Sequence, residues 1–217
     1  MEITYEGPTG HRARLYNTAI LLAQITVFYN LLEGLVSVLL GLEDETLALL
    51  GFGIDSFVEV ISGIGIWHMV HRMQRDLAGD SDPFERKALR ITGSAFYLLT
   101  AGLILTAIFN LYRGHRPETT FWGIVISIVS MITMGFLINF KMRVGRQVHS
   151  DAIIADANCT KTCLYLSFVL LLASAGYAAT GIGWLDSLGA VAIAVFAFRE
   201  GREAFEKARG KTCACHK

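Results

Sequence analysis

The sequence is poor in charged residues and has no excess of either sign. Only 18% of its 217 residues are Asp, Glu, Lys or Arg, whereas about a quarter are charged in an ordinary soluble domain. The 19 basic residues balance the 19 acidic ones, so no basic excess indicates a nucleic-acid partner. Because 53% of the residues are hydrophobic, the composition favours a membrane protein over a soluble domain.

A signal peptide and a disulfide framework are also missing. The stretch MEITYEGPTGHRARLY lacks the short apolar core and the small-residue cleavage site of a secretory signal, so we expect the first membrane span to direct insertion. The cysteines form two tight pairs, unlike the spread framework of a disulfide-rich secreted protein. They are Cys159, Cys163, Cys213 and Cys215.

Six apolar segments are long enough to cross a bilayer, which takes about 20 residues at about 1.5 Å each. They cover roughly residues 16–41, 46–71, 87–112, 119–142, 150–177 and 185–206. The connectors between them are short and polar, and no long soluble domain lies outside them. The sequence therefore predicts an all-α membrane protein with six transmembrane helices.

The basic residues are distributed unevenly about these segments. All but three of the 19 flank one side; Arg113 and Arg116 lie on the other, and Lys161 lies inside a segment. Because Lys and Arg collect on the cytoplasmic side, we expect both termini in the cytoplasm. The chain then divides into a cytoplasmic segment (1–14), a membrane domain (15–207) and a cytoplasmic Cys/His tail (208–217). We expect a prokaryotic inner (plasma) membrane as its location.

Several ionisable side chains fall inside the predicted membrane segments, where they are costly and indicate function by default. They are Glu33 in the first segment, Asp55 and Glu59 in the second, and Asp156 and Lys161 in the fifth. Residues four apart share one face of a helix. The two acids of the second segment therefore point the same way, as do two cysteines of the fifth.

These acids and thiols are predicted to meet near the middle of the bilayer. Counted from the cytoplasmic ends, Glu59 and Cys159 lie at a depth of about 15 Å, and Asp55 and Cys163 at about 20 Å. Zinc accepts four such ligands in a tetrahedron, and thiolates favour soft ions. Ligand types alone rank Zn²⁺ and Cd²⁺ above Cu(I).

The same residues could instead have structural roles. A single buried cysteine packs as a small hydrophobe, and Asp55 and Glu59 can pair with Lys161 or with an arginine. A Glu33–Lys161 ion pair is as consistent with the sequence as a functional role for Glu33. Lys161 can alternatively offset the charge of the metal ligands, and Asp156 extends the face that carries the cysteines.

Four stretches resemble the membrane domain of the cation diffusion facilitators, over roughly residues 15–207. LLGFGIDSFVEV is similar to the family's second span, with Asp55 and Glu59 at the ligand positions. IIADANCTKTC is similar to the fifth span, with Cys159 and Cys163 where the family usually has His and Asp. GWLDSLGAVAIAV, which contains Asp186, resembles the beginning of the sixth span. DPFERKAL resembles the loop before the third.

The resemblance implies a metal/proton antiporter rather than an enzyme, with a transport site formed by the second and fifth spans. It implies a homodimer, a metal ion and protons as substrates, and no tightly bound cofactor; Zn²⁺ or Cd²⁺ is favoured, with Cu⁺ or Fe²⁺ as alternatives. Asp82 and Glu85 replace the family's loop histidine and glycine pattern, so we do not expect a second metal site there. We also expect no counterpart of the usual carboxy-terminal cytoplasmic domain after the sixth span.

Two other functions are consistent with the same residues. A metal sensor or accessory subunit would bind the ion without moving it. A membrane thiol oxidoreductase using Cys159 and Cys163 is least favoured, because helical i,i+4 side chains start about 5–6 Å apart, whereas a disulfide needs Cβ atoms about 3.5–4.5 Å apart.

The tail sequence KTCACHK brings soft metal ligands together beyond the last predicted span. Cys213, Cys215 and His216 lie within four residues of one another. They form either a disordered end without a role, as is common at termini, or a capture site that raises the metal concentration at the cytoplasmic mouth.

Overall fold

The protein is a bundle of six long α-helices. The computed structural model describes residues 8–74, 83–114, 116–117, 120–148 and 151–209. The helices are α1 Pro8–Glu43, α2 Leu47–Gln74, α3 Pro83–Arg113, α4 Phe121–Val148, α5 Asp151–Thr180 and α6 Trp184–Ala208. The predicted all-α fold with six helices is confirmed. The largest difference is at α1, which begins at Pro8 rather than near residue 16, because its polar first turns continue the same helix.

Five of these helices have the length and apolarity to cross a membrane. The qualifying stretches are Arg14–Glu43, Leu47–Gly65, Leu89–Arg113, Phe121–Gln147 and Thr160–Thr180. Helix α6 is less apolar because it carries Asp186 near its beginning and a run of charged residues from Arg199 onward. It packs mainly along α3 and also contacts α5 and α2.

The helices associate in three main pairs, α1 with α2, α3 with α6, and α4 with α5, and α2 also contacts α3, α5 and α6. Buried apolar side chains such as Phe52, Leu170 and Ile193 join α2, α5 and α6 in the largest core cluster. Many large apolar side chains, including Phe28, Leu98 and Phe136, face outward. That outward apolar surface is what lipid tails require of a membrane protein.

Glycines let α1 and α2 approach at backbone distance. A Cβ added at Gly53 would lie 2.8 Å from both the Ser37 Cβ and the Val38 backbone nitrogen, and one at Gly41 would lie 2.7 Å from the Leu50 nitrogen. Small residues commonly allow such contacts between membrane helices. The turn between the two helices is equally tight, and Glu45 takes a positive φ of 55° there.

Replacing Gly53 with alanine is expected to destabilise the protein by about 1–3 kcal/mol, because backbone atoms of α1 cannot yield to the added methyl group. The control is Gly102→Ala on α3, where an added Cβ meets nothing within 4 Å. Alanine is the better helix former by about 1 kcal/mol, so the control variant should unfold at the same temperature or higher. Thermal unfolding in detergent measures both, and equal melting temperatures would contradict the close α1–α2 contact.

The beginnings of α2 and α6 meet at one buried carboxylate. The Leu47 backbone N–H donates to Asp186 Oδ2 at 2.8 Å, and the Ala48 N–H donates to Oδ1 at 3.1 Å. These are two of the first N–H groups of α2, which have no partner within their own helix. Asp186, only 4% exposed, therefore caps a helix 139 positions away in sequence.

Candidate metal site in the membrane

The carboxylate of Glu59 lies where α1, α2 and α5 meet. The Asn30 side-chain amide on α1 donates to Glu59 Oε2 at 2.9 Å. The Cys163 thiol on α5 donates to the other oxygen, Oε1. One acidic side chain of α2 therefore connects both neighbouring helices through polar groups, in the part of the bundle that the sequence assigns to the bilayer.

The contact between α2 and α5 differs by one helical turn from the depths estimated from the sequence. Those depths placed Glu59 level with Cys159 and Asp55 level with Cys163, whereas the structure places Cys163 against Glu59. One turn is about 5.4 Å along the axis. The sequence estimate counted residues from uncertain segment ends and ignored helix tilt. Either error can shift the estimated depth of a residue by about one helical turn.

Asp55 lies one turn from Glu59 on the same helix and is almost completely buried, at 3% exposed. Its Oδ1 atom has no hydrogen-bond partner within the described part of the chain. Glu33 and Glu200 both lie close enough to interact with it electrostatically. A buried carboxylate in acidic surroundings is a site that a cation would stabilise.

Glu33 on α1 is the third acid of the cluster and, like Asp55, it is buried. The Tyr29 hydroxyl donates to its Oε1 at 2.8 Å, and the Ser56 hydroxyl of α2 contacts its Oε2 at 3.2 Å. The carboxylates of Glu33, Asp55 and Glu59 thus occupy neighbouring turns of α1 and α2. The hydrogen-bond donors to them from Tyr29, Asn30, Ser56 and Cys163 are all neutral: two hydroxyls, an amide and a thiol.

Lys161 does not supply a charge to this cluster. Its ammonium group donates to Asn158 at 2.8 Å on its own helix. Its side chain lines a groove beside α4 together with Asn139 and Arg143. The Glu33–Lys161 ion pair considered from the sequence is therefore not formed in the structure.

Some of the sequence-predicted site lies outside what the structure describes. Helix α5 includes Asp156 and Cys159, but their side chains are not among those described. Cys213, Cys215 and His216 of the tail, and Asp82 of the loop, also lie outside. Among the described side chains, no three His, Cys, Asp or Glu residues come together closely enough to hold a metal ion.

The sequence interpretation overlooked several polar partners. Asn30 lies three residues before Glu33 in an otherwise apolar stretch, and that spacing was a signal that the two share a helix face. The Thr162 hydroxyl donates to Glu200 at 3.0 Å, which connects α5 to α6 beside the site. Lys141, which is 1% exposed, donates to the Thr160 hydroxyl at 3.0 Å. The sequence interpretation counted Lys141 only among the basic residues of the cytoplasmic side.

The fold and this cluster together define a class: a helical membrane protein with an acidic, cation-attracting site inside the bundle. Comparison with protein families identifies the class further, since the profile of the cation efflux transmembrane domain matches residues 23–209. The chain therefore belongs to the cation efflux family of membrane transporters, as its resemblance to the cation diffusion facilitators predicted. Its substrate class is divalent cations. A comparison with individually curated proteins finds no match.

Proposed function

We propose that the protein exports a soft or borderline divalent metal ion from the cytoplasm in exchange for protons, with Zn²⁺ or Cd²⁺ as the substrate. Asp55, Glu59, Cys159 and Cys163 are the proposed ligands. The observation that carries the proposal is the Glu59–Cys163 contact. It joins a carboxylate of α2 to a thiol of α5 inside the membrane domain, and a thiol next to a carboxylate is a pair of ligands that zinc accepts.

Unsatisfied acceptor atoms support a cation site at this place. Asn30 Oδ1 and Asp55 Oδ1 are buried and have no hydrogen-bond partner among the described groups. Buried polar atoms are nearly always satisfied, so a bound ion or an ordered water would supply the missing partner of these two acceptors. A cation placed between the two turns of α2 would take electron pairs from both carboxylates.

The coupling to protons follows from the chemistry of the ligands. Thiols and carboxyl groups bind a metal only in their deprotonated forms, so binding releases protons and protonation releases the metal. Four ionised ligands around a dication leave an excess negative charge, which is costly in a bilayer. Some acidic groups near the site therefore have to remain protonated in part of the cycle.

Flux into sealed vesicles tests the proposal. Purified protein is reconstituted in proteoliposomes, and uptake of Zn²⁺, Cd²⁺, Cu(I), Fe²⁺ and Mn²⁺ is measured with and without a pH gradient. We expect gradient-driven uptake of zinc or cadmium above that of the other ions. Binding without flux would instead assign the protein to the metal sensors or accessory subunits.

Restoring the family's usual ligands is expected to change the choice of metal. Imidazole and carboxylate are harder ligands than thiolate, so Cys159→His combined with Cys163→Asp should favour zinc over cadmium. We expect the zinc-to-cadmium ratio of initial rates to rise about tenfold, equivalent to about 1.4 kcal/mol. The control is Cys163→Ser alone, which removes the thiol without adding a harder charged ligand. An unchanged ratio in the double variant would mean that the surrounding helices set the selectivity.

A further inference from the structure

The hydrogen bonds around Glu33 fit a protonated carboxyl group as well as an ionised one. The Ser56 hydroxyl has one hydrogen but two acceptors within reach, the Phe52 carbonyl oxygen at 3.1 Å and Glu33 Oε2 at 3.2 Å. Serine in a membrane helix commonly donates to the carbonyl four residues earlier. If Ser56 does so, its oxygen is free to accept, and the Glu33 carboxyl must donate to it.

That arrangement satisfies every group in the chain of contacts. Tyr29 donates to Glu33 Oε1 at 2.8 Å, the carboxyl hydrogen on Oε2 goes to Ser56, and the Ser56 hydrogen goes to Phe52. When Glu33 is ionised, Ser56 turns its hydrogen to Oε2 and gives up the carbonyl. The same side chains therefore accommodate both protonation states with a single hydroxyl rotation, which costs little because hydroxyl hydrogens rotate freely.

Glu33 faces other titratable groups but no described cation. Those around it are Tyr29 on its own helix, Asp55 and Glu59 on α2, and Cys163 on α5. Its hydrogen-bond partners are all neutral, and unlike Asp55 and Glu59 it is not a proposed metal ligand. A dication bound between α2 and α5 would be the nearest positive charge, and it would favour loss of the Glu33 proton.

A hydroxyl chain continues from Glu33 toward α5. Ser130 of α4 also lies beside the Glu33 carboxyl, and its hydroxyl is 2.8 Å from that of Ser167. Ser167 in turn donates to the Cys163 backbone carbonyl at 2.8 Å. Ser130 and Ser167 are both completely buried, so this chain of hydroxyl groups runs through an otherwise apolar interior.

We propose that Glu33 carries one of the protons exchanged for the metal without binding the metal itself; this rests on the proposed transport function. In the empty site the Glu33 carboxyl is protonated and donates to Ser56. Metal binding from the cytoplasm releases that proton to the cytoplasm, and Glu33 becomes a carboxylate that accepts from Ser56 and Tyr29. After the site opens outward, a proton from outside returns to Glu33 as the metal leaves.

The test counts protons released per metal ion bound, using purified full-length protein in weakly buffered detergent solution. Glu33→Gln should release about one proton fewer per zinc or cadmium ion bound. Its Kd should rise about tenfold, because an ion that drives the proton off Glu33 is in turn bound more tightly by the ionised carboxylate. In proteoliposomes the same variant should lose pH-gradient-driven uptake while it retains exchange of metal for metal. Glu33→Asp, which keeps a carboxyl group, should keep both the proton count and the gradient-driven uptake.

Infrared difference spectra recorded on metal addition give a second measurement, which does not depend on the transport activity of any variant. The unaltered protein should lose a protonated-carboxyl band that is absent from the Glu33→Gln difference spectrum. An unchanged proton count, an unchanged infrared difference or loss of metal binding in Glu33→Gln would each overturn the inference. Absence of any metal flux in the unaltered protein would instead overturn the proposed function, so the two failures are distinct.

Discussion

Replacing Glu59 with glutamine is expected to abolish metal transport while the helical bundle stays assembled. Glutamine has the same shape, so its oxygen can still accept from Asn30 and its packing between α1 and α5 is preserved. It lacks the negative charge, however, and a neutral amide is a far weaker ligand for a dication than a carboxylate. We expect the initial rate of zinc or cadmium uptake to fall by about a hundredfold or more, equivalent to at least about 2.8 kcal/mol.

A second glutamate provides the matched control for this variant. Glu206 on α6 is partly exposed and pairs with the exposed Arg202 one turn earlier on the same helix. Solvent-accessible pairs of this kind contribute little to stability. Glu206→Gln removes the same charge outside the cluster and should transport at the full rate. Elution as a single species on size-exclusion chromatography would show that Glu59→Gln is folded. Full flux through that folded variant would contradict the assigned site.

The largest loss of stability is expected from Asp186→Ala. The change removes both acceptors of the Leu47 and Ala48 N–H groups, which then remain buried without partners. Each unsatisfied buried group costs about 1–3 kcal/mol, so we expect a loss of about 2–6 kcal/mol. The negative charge also stabilises the amino-terminal end of α2 through its dipole, and that contribution disappears as well.

Asp186→Asn separates the two contributions. The amide keeps one acceptor oxygen and loses the charge, so its melting temperature should lie between those of the unaltered protein and Asp186→Ala. Because α2 carries Asp55 two turns after Ala48, we also expect slower metal uptake in Asp186→Ala measured at a temperature where it is folded. Equal melting temperatures for all three proteins would show that Asp186 does not cap α2.

The fold followed from the sequence because long apolar runs admit only helices in a bilayer. Alternation of these runs with short polar connectors was enough to place six helices. Their ends moved by only a few residues, except where the polar beginning of α1 continues a helix that hydropathy cannot detect. Helix α6 illustrates a different limit of hydropathy. The sequence predicted it as a span, but its charged residues keep it from meeting the apolarity expected of a membrane helix taken by itself.

The candidate site could be predicted in its residue types but not in its pairings. Spacing along one helix placed Asp55 and Glu59 on one face of the second helix, and it placed Cys159 and Cys163 on one face of the fifth. Contacts between helices depend on tilt and rotation, which packing determines and one sequence does not report. The contact of Glu59 with Cys163 and the contact of Ser56 with Glu33 are both contacts between helices, and the sequence alone could not predict them. The Asp186 cap joins residues too distant in sequence for any local pattern to connect.

The close glycine contact between α1 and α2 has a mechanical consequence. Backbone atoms meet there at both Gly41 and Gly53, and the Asn30–Glu59 and Glu33–Ser56 contacts cross the same interface. Two helices in contact at backbone distance cannot slide past each other without clashes along their length. We therefore expect α1 and α2 to move as one rigid body. We expect relative motion instead at contacts such as the one between α2 and α5, where Glu59 meets Cys163. A metal ion bound there would hold α2 and α5 together through its ligands on both helices. Its binding and release would therefore control when the two helices can move relative to each other.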